Sequence, residues 1–266
     1  MTNEKRRKIV VVVGATRGIG AATSRRLCEA GATVILGGIS AERGRAFAEQ
    51  LRSTGGNAEF RRADLTDGAS LAELMDGVAD DHGGIDGVFN NGADLKLLEH
   101  DADVVSTDPE IFLRSLETNL HGYFLSCRAA IPHMLRRGGG AIVQTSSLAA
   151  SRGDSAMVAY SASKAGVDAL TRHIAARYGK QKIRCNSIQP GMIMVENAIE
   201  MGDALPLESI LKQTATPRLG EPQDIAAMAA FLLSDEAAYV NGQVIRVDGG
   251  MSIPLMGHSV TPASCR

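Results

Sequence analysis

The 266-residue chain is short of four things, and each shortage excludes a class of function. Paired cysteine is the first: Cys28, Cys127, Cys185 and Cys265 are scattered, with no C-x-x-C among them. A chain of this length needs no disulfide framework, so the expected compartment is a reducing cytoplasm. Net charge is the second. A formal balance of -2 and a pI near 6.3 give no bulk attraction to nucleic acid or to an anionic membrane, which leaves a small, specifically bound ligand as the expected partner. The terminal Lys5, Arg6, Arg7 and Lys8 read as a solvated charge run without a function. Long apolar runs are the third: Ile9 to Val13 falls far short of a signal segment or a membrane span, so no membrane partner is expected. Metal-ligand spacing is the fourth. His82, His100, His121, His133, His173 and His258 form no H-E-x-x-H and pair with no cysteine at a zinc-ligand spacing, so no catalytic metal is expected.

What is present is hydrophobic bulk in a regular order. With 44% hydrophobic residues and no composition break, internal repeat or low-complexity linker, the chain reads as one large α/β domain over residues 1–266. Short β-branched runs at Ile9 to Val13, Thr33 to Leu36, Ala58 to Arg61, Gly87 to Asn90, Ala141 to Thr145, Arg184 to Ile188 and Val244 to Val247 read as strands. Helical patterns lie between them: Gly18 to Ala30, Ala41 to Ser53, Ala69 to Asp80, Pro109 to Arg136, Met157 to Tyr178 and Pro222 to Leu233. Pro109 and Pro222 sit where a first helical turn tolerates proline. Several strand runs are apolar without alternation, as strands covered on both faces by crossover helices must be. The expected fold is a doubly wound, mostly parallel, seven-stranded sheet with helices on both faces. Met192 to Thr216 is rich in Met and Leu, lacks a clean period and is bounded by Pro190-Gly191 and Pro217; it reads as a loop or short-helix insertion that covers a pocket.

Directly after the first strand comes Val13-Gly14-Ala15-Thr16-Arg17-Gly18-Ile19-Gly20, opening a helix. Gly14 permits a tight turn, Gly18 lets backbone approach a pyrophosphate, and Gly20 allows close helix-strand packing while the helix N-terminus faces the phosphate charge. The G-x-x-x-G-x-G spacing resembles that of the short-chain dehydrogenase/reductase family, and the resemblance runs from Ile9 to about Gly250. Asp64-Leu65, after the third strand, resembles the family's adenine-contacting Asp. Asn90-Asn91-Gly92-Ala93 resembles its Asn-Asn-Ala-Gly turn with the last two residues exchanged, and Asn119 its helix asparagine. Ser146-Ser147, Tyr160-Ser161-Ala162-Ser163-Lys164, Pro190-Gly191 and Val247-Asp248-Gly249-Gly250 complete the set. The resemblance implies a Rossmann-type fold, an NAD(P)-dependent oxidoreductase, and cofactor contacts from Gly14 to Gly20 (Thr16, Arg17 and Ile19 included), Gly38, Ile39, Asp64, Leu65, Asn91 to Ala93, Tyr160, Lys164, Pro190, Gly191 and Ile193. Two departures remove hydroxyls: Val13 and Val195 stand where threonine is usual, so nicotinamide anchoring falls to the backbone near Ile193.

At the end of the second strand an acid would bond the ribose 2′-OH of NAD and repel the 2′-phosphate of NADP. Gly37, Gly38, Ile39 and Ser40 supply none, while Arg17 and Arg43 are placed to pair with a phosphate, so NADP(H) is favoured and NAD(H) remains open. Reduction of a ketone needs a proton donor and a stabiliser of negative charge. An unperturbed phenol titrates near 10, so Tyr160 serves at neutral pH if a nearby cation favours the phenolate. Lys164, at i, i+4 on the same helix face, is that cation, and the resemblance assigns the pair these roles. It also implies that Ser147 bonds the substrate oxygen and that Asn119 holds a water linking Lys164 to solvent.

The apolar insertion, with Met192, Ile193, Met194, Val195, Ala198, Ile199, Met201, Leu205 and Leu207, fits a small hydrophobic or cyclic alcohol or ketone, or simply anchors the loop on the core. The acidic Asp94 to Asp108 stretch is expected at the same mouth. Ala162, Ala165, Gly166 and Ala169 form a small-residue stripe that fits a homodimer or homotetramer, or packing on the chain's own sheet. Residues 251–266 form a tail that crosses a neighbour or is disordered. A 3-oxoacyl thioester reductase and a non-catalytic cofactor-binding sensor or scaffold are the competing functions.

Overall fold

The sheet grows outward from Ile9–Val13 (β1), whose five residues are all buried. The computed structural model describes residues 6–196, 198 and 207–253. Its other strands are β2 Thr33–Gly38, β3 Asn57–Arg62, β4 Gly87–Asn90, β5 Gly140–Thr145, β6 Ile183–Pro190 and β7 Val244–Val247. The helices are α1 Gly18–Glu29, α2 Ala41–Ser53, α3 Gly68–His82, α4 Pro109–Leu116, α5 Gly122–Arg137, α6 Val158–Tyr178, α7 Leu207–Lys212 and α8 Pro222–Leu233. The seven strands lie in the order β3-β2-β1-β4-β5-β6-β7, and every neighbouring pair is parallel. The sheet is therefore doubly wound as expected, and wholly rather than mostly parallel.

Period-two geometry in β1 sends its side chains into two separate cores. Ile9, Val11 and Val13 pack with Leu74 and Met75 of α3, Tyr123 and Met134 of α5, and Val167 of α6. Val10 and Val12 pack with Leu27 of α1, Phe47 of α2 and Ile225 and Leu232 of α8. Burying each such aliphatic side chain stabilises by roughly 1.5–3 kcal/mol, which is why the strand tolerates no polar residue. Strand order reverses between β1 and β4, so a crevice opens beyond the carboxyl ends of the strands there. The turns after Val13, Asn90 and Thr145 face that crevice.

Helix boundaries follow local chemistry. Asp67 accepts from the N–H groups of Ala69 and Ser70 to start α3, Asp108 caps α4 ahead of Pro109, and Glu221 and Asp224 form a reciprocal capping box around Pro222. Gly83 and Gly138, at φ of 72° and 89°, end α3 and α5 in the left-handed region.

Three expectations need correcting. Pro109 to Arg136 is two α-helices joined by a π-helical turn, Glu117–His121, whose wider ring accommodates the extra residue that carries Asn119. The helix predicted from Met157 begins at Val158, because Met157 takes φ 60°. The acidic Asp94 to Asp108 stretch does not all line a mouth: Asp101 turns inward and is only 4% exposed. In the expected insertion, Met194 N–H donates to the Gly220 carbonyl at 2.8 Å and Gly220 N–H to that of Met192 at 3.0 Å, while α7 is the short helix. Lys5, Ile199, Met201, Leu205, Cys265, His258 and most of the 251–266 tail lie outside the described residues. No helix among those described is long and apolar enough to cross a membrane.

Candidate active site

Ser147 closes the turn after β5 and caps the short 3-10 turn that follows, accepting from Ala149 N–H at 3.2 Å. Tyr160 stands in the first turn of α6, and its phenol hydrogen-bonds the Ser147 hydroxyl. The start of that helix lacks a cap of its own. Met157 sits in the left-handed region, at a cost of about 1–3 kcal/mol, and donates its N–H to the Asp101 carbonyl at 2.9 Å. The Asp101 carboxylate accepts from Ala159 N–H at 2.9 Å and from Tyr160 N–H at 2.7 Å. A buried anion at a helix N-terminus opposes the positive end of the helix dipole, so Asp101 fixes the backbone that carries the phenol. The sequence held one clue to it: Ala156-Met157-Val158 offers no capping side chain, so the cap had to come from elsewhere.

Lys164 lies one turn further along α6, 1% exposed. Its ammonium donates to the Thr145 carbonyl at 2.9 Å and stands 4.8 Å from the Tyr123 ring centroid and 5.6 Å from that of Tyr160. Burial pushes it down to about 7, with the charge of Asp168 opposing the fall. The Tyr160 phenol is raised by burial, and the Ser147 hydrogen bond offsets that only in part. Removal from water opposes the phenolate that Lys164 is expected to favour. The phenol is thereby a proton donor at neutral pH. Fully buried Tyr123 went unnoticed in the sequence because it reads as ordinary helix core.

The π-helical turn delivers Asn119 beneath these groups. Its Nδ2 donates to Ser115 and Ser163 hydroxyls at 3.2 and 3.3 Å, and Ser163 in turn donates to the Tyr160 carbonyl at 2.7 Å. Asn119 Oδ1 is buried with no hydrogen-bond partner among the described residues. Such an acceptor is costly unless something donates to it, which fits a water-holding position.

On the other side of the crevice the glycine turn is shaped by close backbone approach. Gly14 has φ 80°, and a Cβ there would stand 2.5 Å from Gly92 N; one on Gly20 would stand 1.9 Å from Gly14 O. Asn91 ties the wall together, donating to the Gly14 carbonyl at 3.3 Å and accepting from the Thr145 hydroxyl at 3.1 Å. At the mouth of α1, the Gly18 N–H donates to the carboxylate of Glu196 at 2.9 Å. A carboxylate there is a stand-in for a phosphate, and together with the glycine cradle it shows that these residues fit a dinucleotide's pyrophosphate. Val195 Cγ1 would be 2.9 Å from a Cβ on Gly18, so this valine covers the glycine turn.

The remaining expected contacts are placed as follows. Gly38 closes β2 opposite Thr16, Ile39 is 71% exposed beside it, and Arg17 and Ile19 open α1, with Arg17 exposed. Arg43 and Arg25 line a cleft of about 390 Å³ together with Thr16, Gly18 and Glu196. Asp64 is lowered by hydrogen bonds from Thr66, with burial opposing, and Leu65 packs against Gly92. Ala93 follows in the same turn after β4. Pro190 ends β6, Gly191 N–H donates to the Val247 carbonyl at 3.1 Å, and the Ile193 side chain is buried in the α8 core, which leaves only its backbone to face the crevice. Of the small-residue stripe, Gly166 packs against Leu120 within the chain, whereas Ala162, Ala165 and Ala169 are exposed.

Residues 14–252 match the family model described as enoyl-(acyl carrier protein) reductase. The chain is 37% identical to a 7alpha-hydroxysteroid dehydrogenase of Bacteroides fragilis, over 94% of this chain and 96% of that one. It is 38% identical to a cis-4-hydroxycyclohexanecarboxylate dehydrogenase of Sinomonas cyclohexanicum, over 91% and 96%. A solved short-chain type dehydrogenase/reductase from Mycobacterium ulcerans superimposes with a TM-score of 0.86 at 33% identity, covering 92% of this chain and 89% of that chain.

Proposed function

The chain belongs to the short-chain dehydrogenase/reductase family and is a nicotinamide-dependent oxidoreductase of alcohols and ketones; from that premise we propose that it acts on a small hydrophobic or cyclic secondary alcohol or ketone. The observation that carries the mechanism is the convergence of Ser147, after β5, on the Tyr160 phenol with the buried Lys164 ammonium 5.6 Å from the phenol ring centroid. Ser147 orients the carbonyl oxygen. Tyr160 donates its proton to the oxygen as negative charge develops, or accepts it in the reverse direction. Lys164 stabilises the phenolate left behind, and Asn119 holds the water through which the proton is replaced. When bound, the nicotinamide ring supplies or takes the hydride.

Gly14, Gly18 and Gly20 hold the pyrophosphate, Asn91 to Ala93 and Asp64-Leu65 line the adenosine side, and the backbone near Ile193 meets the nicotinamide amide. NADP(H) is the preferred cofactor in this reading, because Gly38 and Ile39 present no acid while Arg17 and Arg43 present positive charge. The whole chain acts as one catalytic domain in the cytoplasm, a setting supported by the buried free thiols of Cys127 and Cys185. The exposed alanines of α6, with the apolar groove of Leu113, Leu116, Leu120, Phe124 and Leu170 beside them, support a homodimer or homotetramer.

The test is the initial rate of nicotinamide absorbance change with NADPH and then NADH, across cyclic ketones, aliphatic ketones and 3-oxoacyl thioesters. Turnover of cyclic ketones is expected to fall by about 10²–10⁴-fold in Tyr160→Phe with cofactor binding retained. Turnover confined to thioesters would replace the substrate class, and cofactor binding with no turnover would favour a sensor.

A further inference from the structure

A buried carboxylate lies one helical turn below Lys164 and has no place in the mechanism above. Asp168 is 6% exposed. Its Oδ1 accepts from the Ser187 hydroxyl at 2.8 Å and its Oδ2 from Gln189 Nε2 at 2.7 Å, both on β6. Neither donor is charged. Ser187 and Gln189 flank Ile188, and Ile188 is the register partner of Thr145, whose carbonyl holds the Lys164 ammonium. Helical side chains lean toward the N-terminus, so a residue at i+4 lies back over residue i. The helix and the sheet thus set the carboxylate and the ammonium on one buried face of α6, against neighbouring strands, where each feels the other's field without a direct ion pair.

We propose that Asp168 is a positioning residue for the hydride-transfer site, its negative charge keeping the Lys164 side chain charged from beneath while Thr145 holds it in place. The proposal rests on the reading that Lys164 acts as the cation of that site. A buried ammonium with no anion near it neutralises, because an isolated charge in a low-dielectric interior is too costly. Asp168 supplies such an anion on the same helix face, and Ser187 and Gln189 fix where its carboxylate stands. The Asp168 charge is the influence that opposes the burial-driven fall of Lys164. The other titratable or charged groups facing the pair are Tyr160 on α6, Tyr123 on α5 and, on β7, Arg246, which reaches Gln189 at 3.4 Å. Asp101 lies further off, at the helix N-terminus.

The experiment reads Lys164 directly in cofactor-free protein carrying 13Cε-labelled lysine, with the resonance assigned by its loss in Lys164→Met. In Asp168→Asn the titration midpoint of Lys164 is expected to move down by about one pH unit, the lower end of what a nearby opposite charge contributes. Asp168→Ser removes the charge with a smaller side chain and serves if the amide does not fit between Ser187 and Gln189. Asp168→Glu, which keeps the charge, should return the midpoint toward that of the wild type. In parallel, the alkaline loss of ketone reduction should begin at lower pH in the uncharged variants, because the required cation is lost sooner. An unmoved midpoint in a folded uncharged variant overturns the proposal and assigns Asp168 to packing alone, and leaves the oxidoreductase reading intact. A displaced midpoint with no turnover on any ketone upholds the hold of Asp168 on Lys164 and counts against the catalytic reading instead.

Discussion

The two walls of the crevice are built on opposite terms. On the catalytic wall the groups behind the reacting Ser147 and Tyr160 are buried and held by the protein: Lys164 on Thr145, the Asn119 amide nitrogen on Ser115 and Ser163, and the start of α6 on Asp101. On the dinucleotide wall the charged groups are exposed: Arg17, Arg43 and Glu196 all face solvent, and the main engagement is the carboxylate of Glu196 on Gly18. The difference matches two tasks. Proton transfer needs groups held in place before the substrate arrives, because reorganisation during reaction is what raises a barrier. A dinucleotide must enter and leave, so its charges are met by groups that stay solvated until it binds. One wall therefore carries a stability penalty and the other an affinity penalty.

The largest break in this contrast is Lys164→Met. Turnover should fall by about 10²–10⁴-fold, while the stability of the variant relative to the wild type should be at its most favourable at and below neutral pH. The sign follows from linkage. Lys164 is depressed in the folded state to about 7, against about 10.4 unfolded, so between those values the unfolded chain binds more protons and wild-type stability rises with pH. The advantage of Lys164→Met should be greatest at or below pH 7 and should shrink toward pH 10. Thermal melts of both proteins at pH 6, 8 and 10 check this, and a gap that widens with pH would contradict it.

What was legible in the sequence divides along the same line. The strand runs and the glycine turn follow from local pattern and spacing, each run lying within two residues of its strand, and the signature is clearest in Ile9–Val13, where burial on both faces leaves an unbroken apolar run; the order of strands is set by the fold. Ser147, Tyr160 and Lys164 were legible as a resemblance, and the sheet brings them together. Asp101 and Asp168 were not. Asp101 acts 59 residues from the amide it caps, and Asp168 answers to Ser187 and Gln189 across a strand, so no local pattern marks either. The upward displacement of the Tyr160 phenol was missed because the i, i+4 spacing reports neighbours and not burial. Glu196 lies in the apolar insertion 178 residues from Gly18, and only the fold sets its carboxylate there.

A middle-sized effect sharpens the dinucleotide side. A Cβ on Gly38 would meet only Thr16 Cγ2 at 3.8 Å and a Phe60 ring carbon at 3.9 Å, so Gly38→Asp is accommodated without strain. Its carboxylate would accept from a ribose 2′-OH and repel a 2′-phosphate. The ratio of NADPH to NADH specificity, measured as kcat/KM, should fall at least about tenfold, the scale of a like-charge penalty at a binding site. An unchanged ratio would place the 2′-position away from the end of β2.

The smallest effect is also the most local. The Gly18 N–H that a pyrophosphate requires is engaged by the Glu196 carboxylate at 2.9 Å, so binding must displace one anion with another and leave Glu196 beside the newcomer. Glu196→Gln removes the repulsion and keeps a side chain able to accept from the same N–H. A charge at a helix N-terminus is worth about 0.3–1 kcal/mol, so the dissociation constant for NADPH should tighten about two- to fivefold. The gain should fade at high ionic strength, since both charges face solvent. Binding of nicotinamide riboside, which carries no phosphate, should stay where it is. If the riboside tightens equally, the carboxylate is hindering access to the crevice as a whole, and the contact with Gly18 is a resting place rather than a competitor for the phosphate.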